Sequence, residues 1–229
     1  PVYWMNSEDH DFEEINHINL FGNKISWNIK SEGPVGKIKT DSLKEVINDL
    51  KKIIGESHEA KQLISIFEKG YLQHNNLASA TRYIVNELFG KYGLVVFNPD
   101  TKDLKREFAF LMKDDIINKN NYELVNSAID KLKSAGYHEQ VNPREINIFY
   151  LEETLRSRIV QDGKLYHVLN TDKKFSESEI IKAIDENPEN FGPNVVTRPL
   201  YQELILPNVA YTGGGAEVAY WLEFKKMFE

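Results

Sequence analysis

Apolar residues recur along the chain with two different spacings, and these spacings predict strands that alternate with helices. Nearly continuous apolar runs, of the kind seen in buried strands, lie at residues 1–5, 93–100 and 146–151. Apolar residues spaced three and four apart predict helices at residues 41–54, 59–69, 77–92, 102–117, 121–135 and 176–185. This order indicates an α/β fold with a mixed or parallel sheet, in which the strand at residues 93–100 is parallel.

Two turn signals predict β-hairpins. Gly22-Asn23 and Asp162-Gly163 each lie between short apolar segments. Such pairs are favoured at the centre of two-residue turns, because glycine adopts a positive φ without steric cost.

Residues 41–92 carry three predicted helices between two predicted strands, which indicates a helical insertion or a long crossover. Residues 1–40 then form the first part of the core, and residues 93–229 continue it. The chain opens directly on a strand and closes at residues 220–229 on an amphipathic helix without a stop signal. These ends predict a segment cut from a longer chain.

Charge and composition exclude several classes of protein. The 229 residues carry a net charge of −7, whereas a general nucleic-acid binder normally has a basic balance. Cysteine is absent, which excludes disulfides, a cysteine nucleophile and zinc held by cysteine. No apolar run approaches the roughly 20 residues of a membrane-spanning helix. We therefore expect neither nucleic acid nor a membrane as a partner.

The acidic segment after the first strand is a candidate for acid–base chemistry. His10 lies between Asp9 and Asp11, just past the carboxyl end of the strand, where ligands bind in open α/β sheets. A neighbouring carboxylate orients an imidazole and favours its charged form, so Asp9 and His10 are predicted catalytic residues. The alternative is an acidic helix N-terminus with an exposed His10. The spacing of His10 and His17 matches no common ligand motif, and no metal is predicted.

The segment before the strand at residues 146–151 is a candidate for anion binding. Asn142 and Arg144 lie in this short loop. A guanidinium group pairs well with a carboxylate or a phosphate, so both residues are predicted to bind substrate. The alternative is a turn with charged residues on its surface.

Polar residues in an apolar segment mark a third candidate binding segment. Pro199 suits the first turn of a helix, and such a helix places Arg198, Gln202 and Glu203 about one turn apart. These polar groups either pair with one another or face a ligand. Asn194, Arg198 and Gln202 are predicted to bind substrate.

A run of three glycines leads directly into a helix and marks a fourth candidate. The run lets the backbone approach an anion, so Gly213 and Gly214 are predicted to bind a cofactor through their N–H groups. Glu217 in the first helical turn and Tyr220 are predicted to bind substrate. The run is neither a Walker A motif nor a dinucleotide fingerprint, and a flexible loop is the alternative.

These four segments, in this order, resemble the bacillithiol biosynthesis cysteine-adding enzymes. The matching text is PVYWMNSEDHDFEEINH at 1–17, VNPREINIFYL at 141–151 and PNVVTRPLYQELILPNVAYTGGGAEVAYWLEFK at 193–225. The family commonly has Gly-Gly-Pro-Gly-Glu where this chain has Gly-Gly-Gly-Ala-Glu at residues 213–217. The difference keeps two glycines and the glutamate but loosens the turn.

The resemblance implies a Rossmann-like core similar to class I aminoacyl-tRNA synthetases, with a mostly helical connecting insertion and a coiled-coil arm. It implies a cytoplasmic, homodimeric ligase that joins cysteine to the amino group of glucosaminyl-malate, with ATP as the expected energy source. Full chains of the family begin with a TGQQ-containing segment, which this sequence lacks. We therefore expect the segment to be inactive alone.

The residue types suggest how the predicted site would carry out the reaction that the resemblance implies. Asp9 and His10 would orient or deprotonate the sugar amine, and Arg144 and Arg198 would hold malate carboxylates or phosphates. Glu217 would contact a hydroxyl or an ammonium group. Two other interpretations stay open: a non-catalytic ligand-binding or scaffold module, and a nucleotidyl-transferase-like enzyme acting on another small molecule.

Overall fold

The structure, a computed structural model, describes every residue from Pro1 to Glu229 and divides them into two units. The first unit contains residues Pro1–Asp100 and Glu152–Leu155, and the second contains Thr101–Leu151 and Arg156–Glu229. The helical segment predicted at residues 41–92 therefore belongs to the same unit as residues 1–40.

The first unit combines two small sheets with three long helices. Its elements are β1 (Val2–Trp4), α1 (Phe12–Ile15), β2 (His17–Leu20), β3 (Asn23–Ser26), a 3-10 turn (Val35–Lys37), α2 (Leu43–Ile54), α3 (His58–Gln73), α4 (Leu77–Phe89), a second 3-10 turn (Gly90–Tyr92) and β4 (Val95–Phe97). The apolar stripes on α2 and α3 face inward, as predicted, with Ile47, Leu50 and Ile64 packed against Ile25 of β3.

Strand β1 pairs in parallel with β4, which confirms the parallel strand predicted at residues 93–100. The prediction that these strands are buried is wrong. Val2 is 47% exposed, Tyr3 41% and Val95 56%, because the two strands form a sheet with each other alone.

The hairpin between β2 and β3 turns one residue earlier than predicted. Leu20 pairs with Asn23, so the turn residues are Phe21 and Gly22, with φ of 49° and 79°. This register sets Ile18 opposite Ile25.

The second unit is built on a larger sheet with helices. Its elements are α5 (Lys102–Ile117), α6 (Asn120–Ser134), β5 (Ile148–Leu151), β6 (Arg156–Asp162), β7 (Leu165–Val168), β8 (Lys174–Ser176), α7 (Glu177–Glu186), a 3-10 turn (Pro188–Asn190), β9 (Phe191–Pro193), α8 (Arg198–Ile205), α9 (Gly215–Glu223) and a last 3-10 turn (Lys225–Met227).

The sheet of the second unit has the strand order β8-β7-β6-β5-β9, and every neighbouring pair is antiparallel. The α/β fold class is confirmed, but the sequence did not predict an antiparallel sheet of this size or its strands β8 and β9. The hairpin between β6 and β7 turns at Gly163 and Lys164, one residue later than predicted, and sets Ile159 opposite Val168. Both side chains are 1% exposed.

The helix predicted at residues 220–229 is wrong in its extent. Helix α9 ends at Glu223 and a 3-10 turn follows it. The side chain of Phe224, just past the helix, is fully buried with Val141 and Val196, so tertiary packing ends the helix where the sequence shows no stop signal. No helix in either unit is both long and apolar enough to cross a membrane.

Candidate functional site

Three of the four candidate segments meet in the second unit. One apolar cluster takes a residue from each: Val141 from the loop before β5, Val196 from the turn before α8, and Phe224 from the end of α9. Tyr220 packs against this cluster. Hydrophobic packing therefore brings together segments that lie up to 83 residues apart in the sequence.

A buried polar network fixes the loop before β5 to helices α5 and α6. The carboxylate of Asp115 accepts the Asn147 backbone N–H at 2.6 Å and the side-chain amides of Asn147 and Asn121 at 3.2 and 2.9 Å. The Asn147 side chain in turn donates to the Arg144 carbonyl at 2.7 Å. Burial raises the pKa of Asp115, although these hydrogen bonds oppose the shift.

A second buried carboxylate holds the same loop to α9. Glu223 is 1% exposed and accepts the backbone N–H groups of Gln140 at 2.8 Å and Val141 at 3.2 Å. Hydrogen bonds to an ionised acceptor are the stronger kind. The loop at residues 140–147 is thus anchored at both ends.

The residues predicted in and around this loop have different surroundings. Asn142 and Arg144 are exposed, and the Arg144 side chain makes no hydrogen bond or ion pair. The side chain of Asn194 is occupied internally, because its Oδ1 accepts the N–H groups of Val196 and Thr197 and its Nδ2 donates to Asn147 at 3.0 Å. The geometry gives Asn194 a role in shaping the turn, and substrate binding by it stays a prediction.

Helix α8 presents two polar side chains without partners. It begins at Arg198 with Pro199 in the first turn, as predicted, and the Tyr201 ring stacks on Phe108 of α5. Arg198 is half-buried and makes no ion pair or hydrogen bond through its side chain. Gln202, one turn later, is only 8% exposed, and its amide also has no partner. No nitrogen or oxygen atom of these two side chains is buried without a partner, so both groups reach the surface, where a ligand can contact them.

Helix α9 carries a carboxylate that is held at one oxygen. It begins at Gly215 with Gly214 as N-cap, and Glu217 lies in its first turn, as predicted. The hydroxyl of Tyr211 donates a short hydrogen bond to Oε1 of Glu217, and Tyr220 donates to the same oxygen at 3.0 Å. Oε2 accepts no hydrogen bond within the chain.

Burial and nearby charges shift the pKa values of the two tyrosines that contact Glu217. Burial and the Glu217 carboxylate raise the pKa of Tyr220 to about 12, and they raise the pKa of Tyr211 further. The positive charge of Arg198 opposes both shifts, so its guanidinium lies within electrostatic range of both hydroxyls. At neutral pH both tyrosines are therefore protonated donors to Glu217, with a cation nearby.

The remaining candidate segment, the acidic residues that follow the first strand, lies in the first unit. Asp9 Oδ1 is 3.4 Å from Nδ1 of His10 and accepts its backbone N–H at 2.7 Å, while Nε2 is 3.7 Å from Asp11. The His10 side chain is 51% exposed. Asp9, His10 and Asp11 each offer an atom within 4.8 Å of the others, so a cation would fit, although exposed acidic groups are common without one. The catalytic role predicted for Asp9 and His10 stays a prediction.

The first unit also holds a cavity of about 360 Å³ that sequence reasoning did not predict. Its walls are mostly apolar and contain no Lys, Arg, Asp or Glu. They include Ile25, Ile47, Leu50 and Phe67, which the sequence assigns only to helix and strand packing. None of the predicted site residues lines this cavity.

Four residues that shape the site in the second unit were not singled out from the sequence: Asp115, Asn147, Glu223 and Tyr211. A signal existed for two of them. Asp115 and Glu223 are acidic residues next to apolar neighbours on predicted helices, Ile116 and Phe224. Such positions indicate a carboxylate with buried partners.

Comparison with known proteins assigns the fold and then the family. The model described as "Bacillithiol biosynthesis BshC, N-terminal Rossmann-like domain" matches residues 1–229. The chain is thus a Rossmann-like α/β domain. It belongs to the BshC family of bacillithiol biosynthesis, which confirms the resemblance inferred from the sequence motifs. Similarity of the core to aminoacyl-tRNA synthetases stays a prediction.

Relatives of the chain carry the name "Putative cysteine ligase BshC". The protein from Flavobacterium psychrophilum is 52% identical over 229 residues, and the one from Flavobacterium johnsoniae is 49% identical over the same length. A protein from Staphylococcus aureus is 28% identical over 244 residues. All of this chain is covered in each case, but only 43%, 43% and 45% of the three relatives. The chain therefore spans less than half of their length.

Proposed function

We propose that the chain is part of a ligase that joins the carboxyl group of cysteine to the amino group of glucosaminyl-malate in bacillithiol biosynthesis. Amide formation from a carboxylate and an amine releases water, so the carboxyl must first be activated. ATP is the proposed source of the activating group. The observation that carries the proposal is the half-buried Arg198 without a partner, within electrostatic range of the Glu217 cluster.

The chemistry of the substrate matches the groups of the second unit. A malate carboxylate needs a cation and hydrogen-bond donors, which Arg198 and the amide of Gln202 supply. The N–H groups around Gly213 and Gly214 are proposed to receive a second anionic group at the start of α9. Oε2 of Glu217 is proposed to accept a proton donor of the sugar.

Further parts of the function are proposed on family grounds. Asp9 and His10 are proposed as the general acid–base pair, and Asn142 and Arg144 as further substrate contacts. A homodimer joined through a coiled-coil arm, and a place in the cytoplasm, are proposed for the full-length protein.

The test uses the full-length protein with glucosaminyl-malate, cysteine and ATP, and measures the product by mass spectrometry. We expect Arg198→Ala to lower kcat/KM by about 10- to 100-fold, because the substrate loses a charged hydrogen-bonding partner. Arg198→Lys should recover little, because an ammonium lacks the fork of a guanidinium. Arg106→Ala, which removes an exposed pair with Asp103 and a positive charge that acts on Glu189, is the control. Arg198→Ala, Glu217→Gln and His10→Ala variants that all retain near-normal cysteine addition would refute the site.

A further inference from the structure

The two oxygens of the Glu217 carboxylate are used differently. Oε1 accepts both the Tyr211 and the Tyr220 hydroxyl, whereas Oε2 accepts neither. An ionised carboxylate offers about four lone-pair sites. The arrangement therefore saturates one oxygen and leaves the other with unused acceptor capacity in a half-buried place.

The ring of Tyr211 is fixed independently of its hydroxyl. It stacks on Trp221 of α9 with ring centroids 4.2 Å apart and an angle of 13° between the planes. Trp221 lies one turn after Glu217, so the stack holds the Tyr211 hydroxyl over the first turn of the helix. Tyr220 reaches the same carboxylate from within α9, three residues after it.

The glycine run leaves space for this arrangement. A Cβ atom on Gly213 would lie 2.9 Å from Cε1 of Tyr211 and 3.0 Å from Oε2 of Glu217. At Gly214 and Gly215 a Cβ would meet nothing within 4 Å. The absence of a side chain thus matters at Gly213, where it keeps the approach to Oε2 open.

We propose that Tyr211 and Tyr220 are positioning residues that occupy Oε1 of Glu217, so that Oε2 binds the ammonium group of the sugar substrate. This inference rests on the proposed function. A fixed carboxylate oxygen distinguishes an ammonium from a hydroxyl at the same position, because the charged donor forms the stronger hydrogen bond. The two tyrosines would therefore contribute to selection of an amino sugar.

The test measures equilibrium binding to the full-length protein by calorimetry. The ligands are glucosaminyl-malate and glucosyl-malate, which has a hydroxyl in place of the amine. The variants Tyr211→Phe, Tyr220→Phe and Glu217→Gln are compared with Tyr137→Phe, a control that changes an exposed tyrosine. Tyr211→Phe keeps the ring that stacks on Trp221 and removes only the hydroxyl.

The wild-type protein should prefer the amine ligand. Each single tyrosine variant should weaken its binding by about tenfold, as expected for one hydrogen bond to a charged group, and leave the hydroxyl analogue nearly unchanged. Glu217→Gln should abolish the preference. Circular dichroism checks that each variant folds, and Tyr220→Phe keeps the test available if Tyr211→Phe does not.

Three results would overturn the inference. Equal weakening of both ligands would show that the tyrosines only support the fold, and unchanged binding of the amine ligand would show that they do not position Glu217. In either case the proposed function would survive. A wild-type protein that binds neither ligand would refute the proposed function and this inference with it.

Discussion

The buried carboxylate of Glu223 offers a direct test of how the site is assembled. Glu223 bonds only to the backbone N–H groups of Gln140 and Val141, in the loop that carries Asn142 and Arg144. Glu223→Gln keeps the size of the side chain and removes its charge. One of the two acceptor oxygens becomes an NH₂ group, so one of the two loop N–H groups then faces another donor.

The magnitude follows from the two hydrogen bonds. A bond to a charged group contributes about 1.5–3 kcal/mol, and a buried donor left without a partner costs about 1–3 kcal/mol. A neutral amide is easier to bury than a carboxylate, which offsets part of this loss. We therefore expect destabilisation by about 2 kcal/mol, which for a chain of this length lowers Tm by about 4–8 °C.

Two measurements check this expectation. Calorimetry gives Tm at neutral pH, and hydrogen exchange gives the protection of the Gln140 and Val141 amides, which should fall in the variant. Glu229→Gln is the matched control, because it makes the same chemical change at an exposed position. A Tm within about 1 °C of wild type, with both amides still protected, would refute the idea that Glu223 holds the loop.

Three further predictions follow from the same unit. Gly213→Ala should weaken binding of glucosaminyl-malate, measured by calorimetry, because the new Cβ displaces Tyr211 or Glu217. Glu217→Gln should lower the pKa of Tyr220 from about 12, seen as earlier phenolate absorbance in an alkaline titration. Because the pKa of Asp115 is raised on folding, its contribution to stability is present at acid pH and is lost as the pH rises from its ordinary value through the raised one. In the Asp115→Asn variant, the free energy of unfolding should therefore change less with pH in this range.

Helices were predicted well because each carries its own signal. The stripe at residues 102–117 gives the bounds of α5 as the structure has them. The two hairpin turns lie one residue away from their predicted positions, because the register of a hairpin depends on which side chains face each other across the strands. In β6 and β7 the pairing of Ile159 with Val168 decides the register, and no local signal contains that pair.

The strands β8 and β9 were missed for a related reason. Each has three residues, and neither shows an apolar alternation: Lys174–Ser176 begins with a lysine, and Phe191–Pro193 contains glycine and proline. They become strands because β7 and β5 offer them hydrogen-bonding partners. Propensity is a weak guide to strands of this kind.

The candidate site was predictable where its residues lie close together in sequence. Arg198 and Gln202 are one helical turn apart, and the glycine run directly precedes Glu217. The anchors of the site are different, because Asp115 meets Asn147 across 32 residues and Glu223 meets Gln140 across 83. Nothing in a single sequence links such distant positions. The residues expected to bind substrate could therefore be predicted, whereas the buried carboxylates that anchor the site could not.

Three carboxylates of the second unit differ in whether both of their oxygens accept hydrogen bonds from the chain itself. Both oxygens of Asp115 and both oxygens of Glu223 receive N–H groups of the chain itself, so neither carboxylate has a free oxygen for a ligand. Glu217 has one oxygen occupied by two hydroxyls and one that is unused. The second oxygen is not buried, so a ligand can reach it. The same reasoning applies to Arg198, whose guanidinium has no partner in the chain, and it is why we propose substrate contacts at the first turns of α8 and α9.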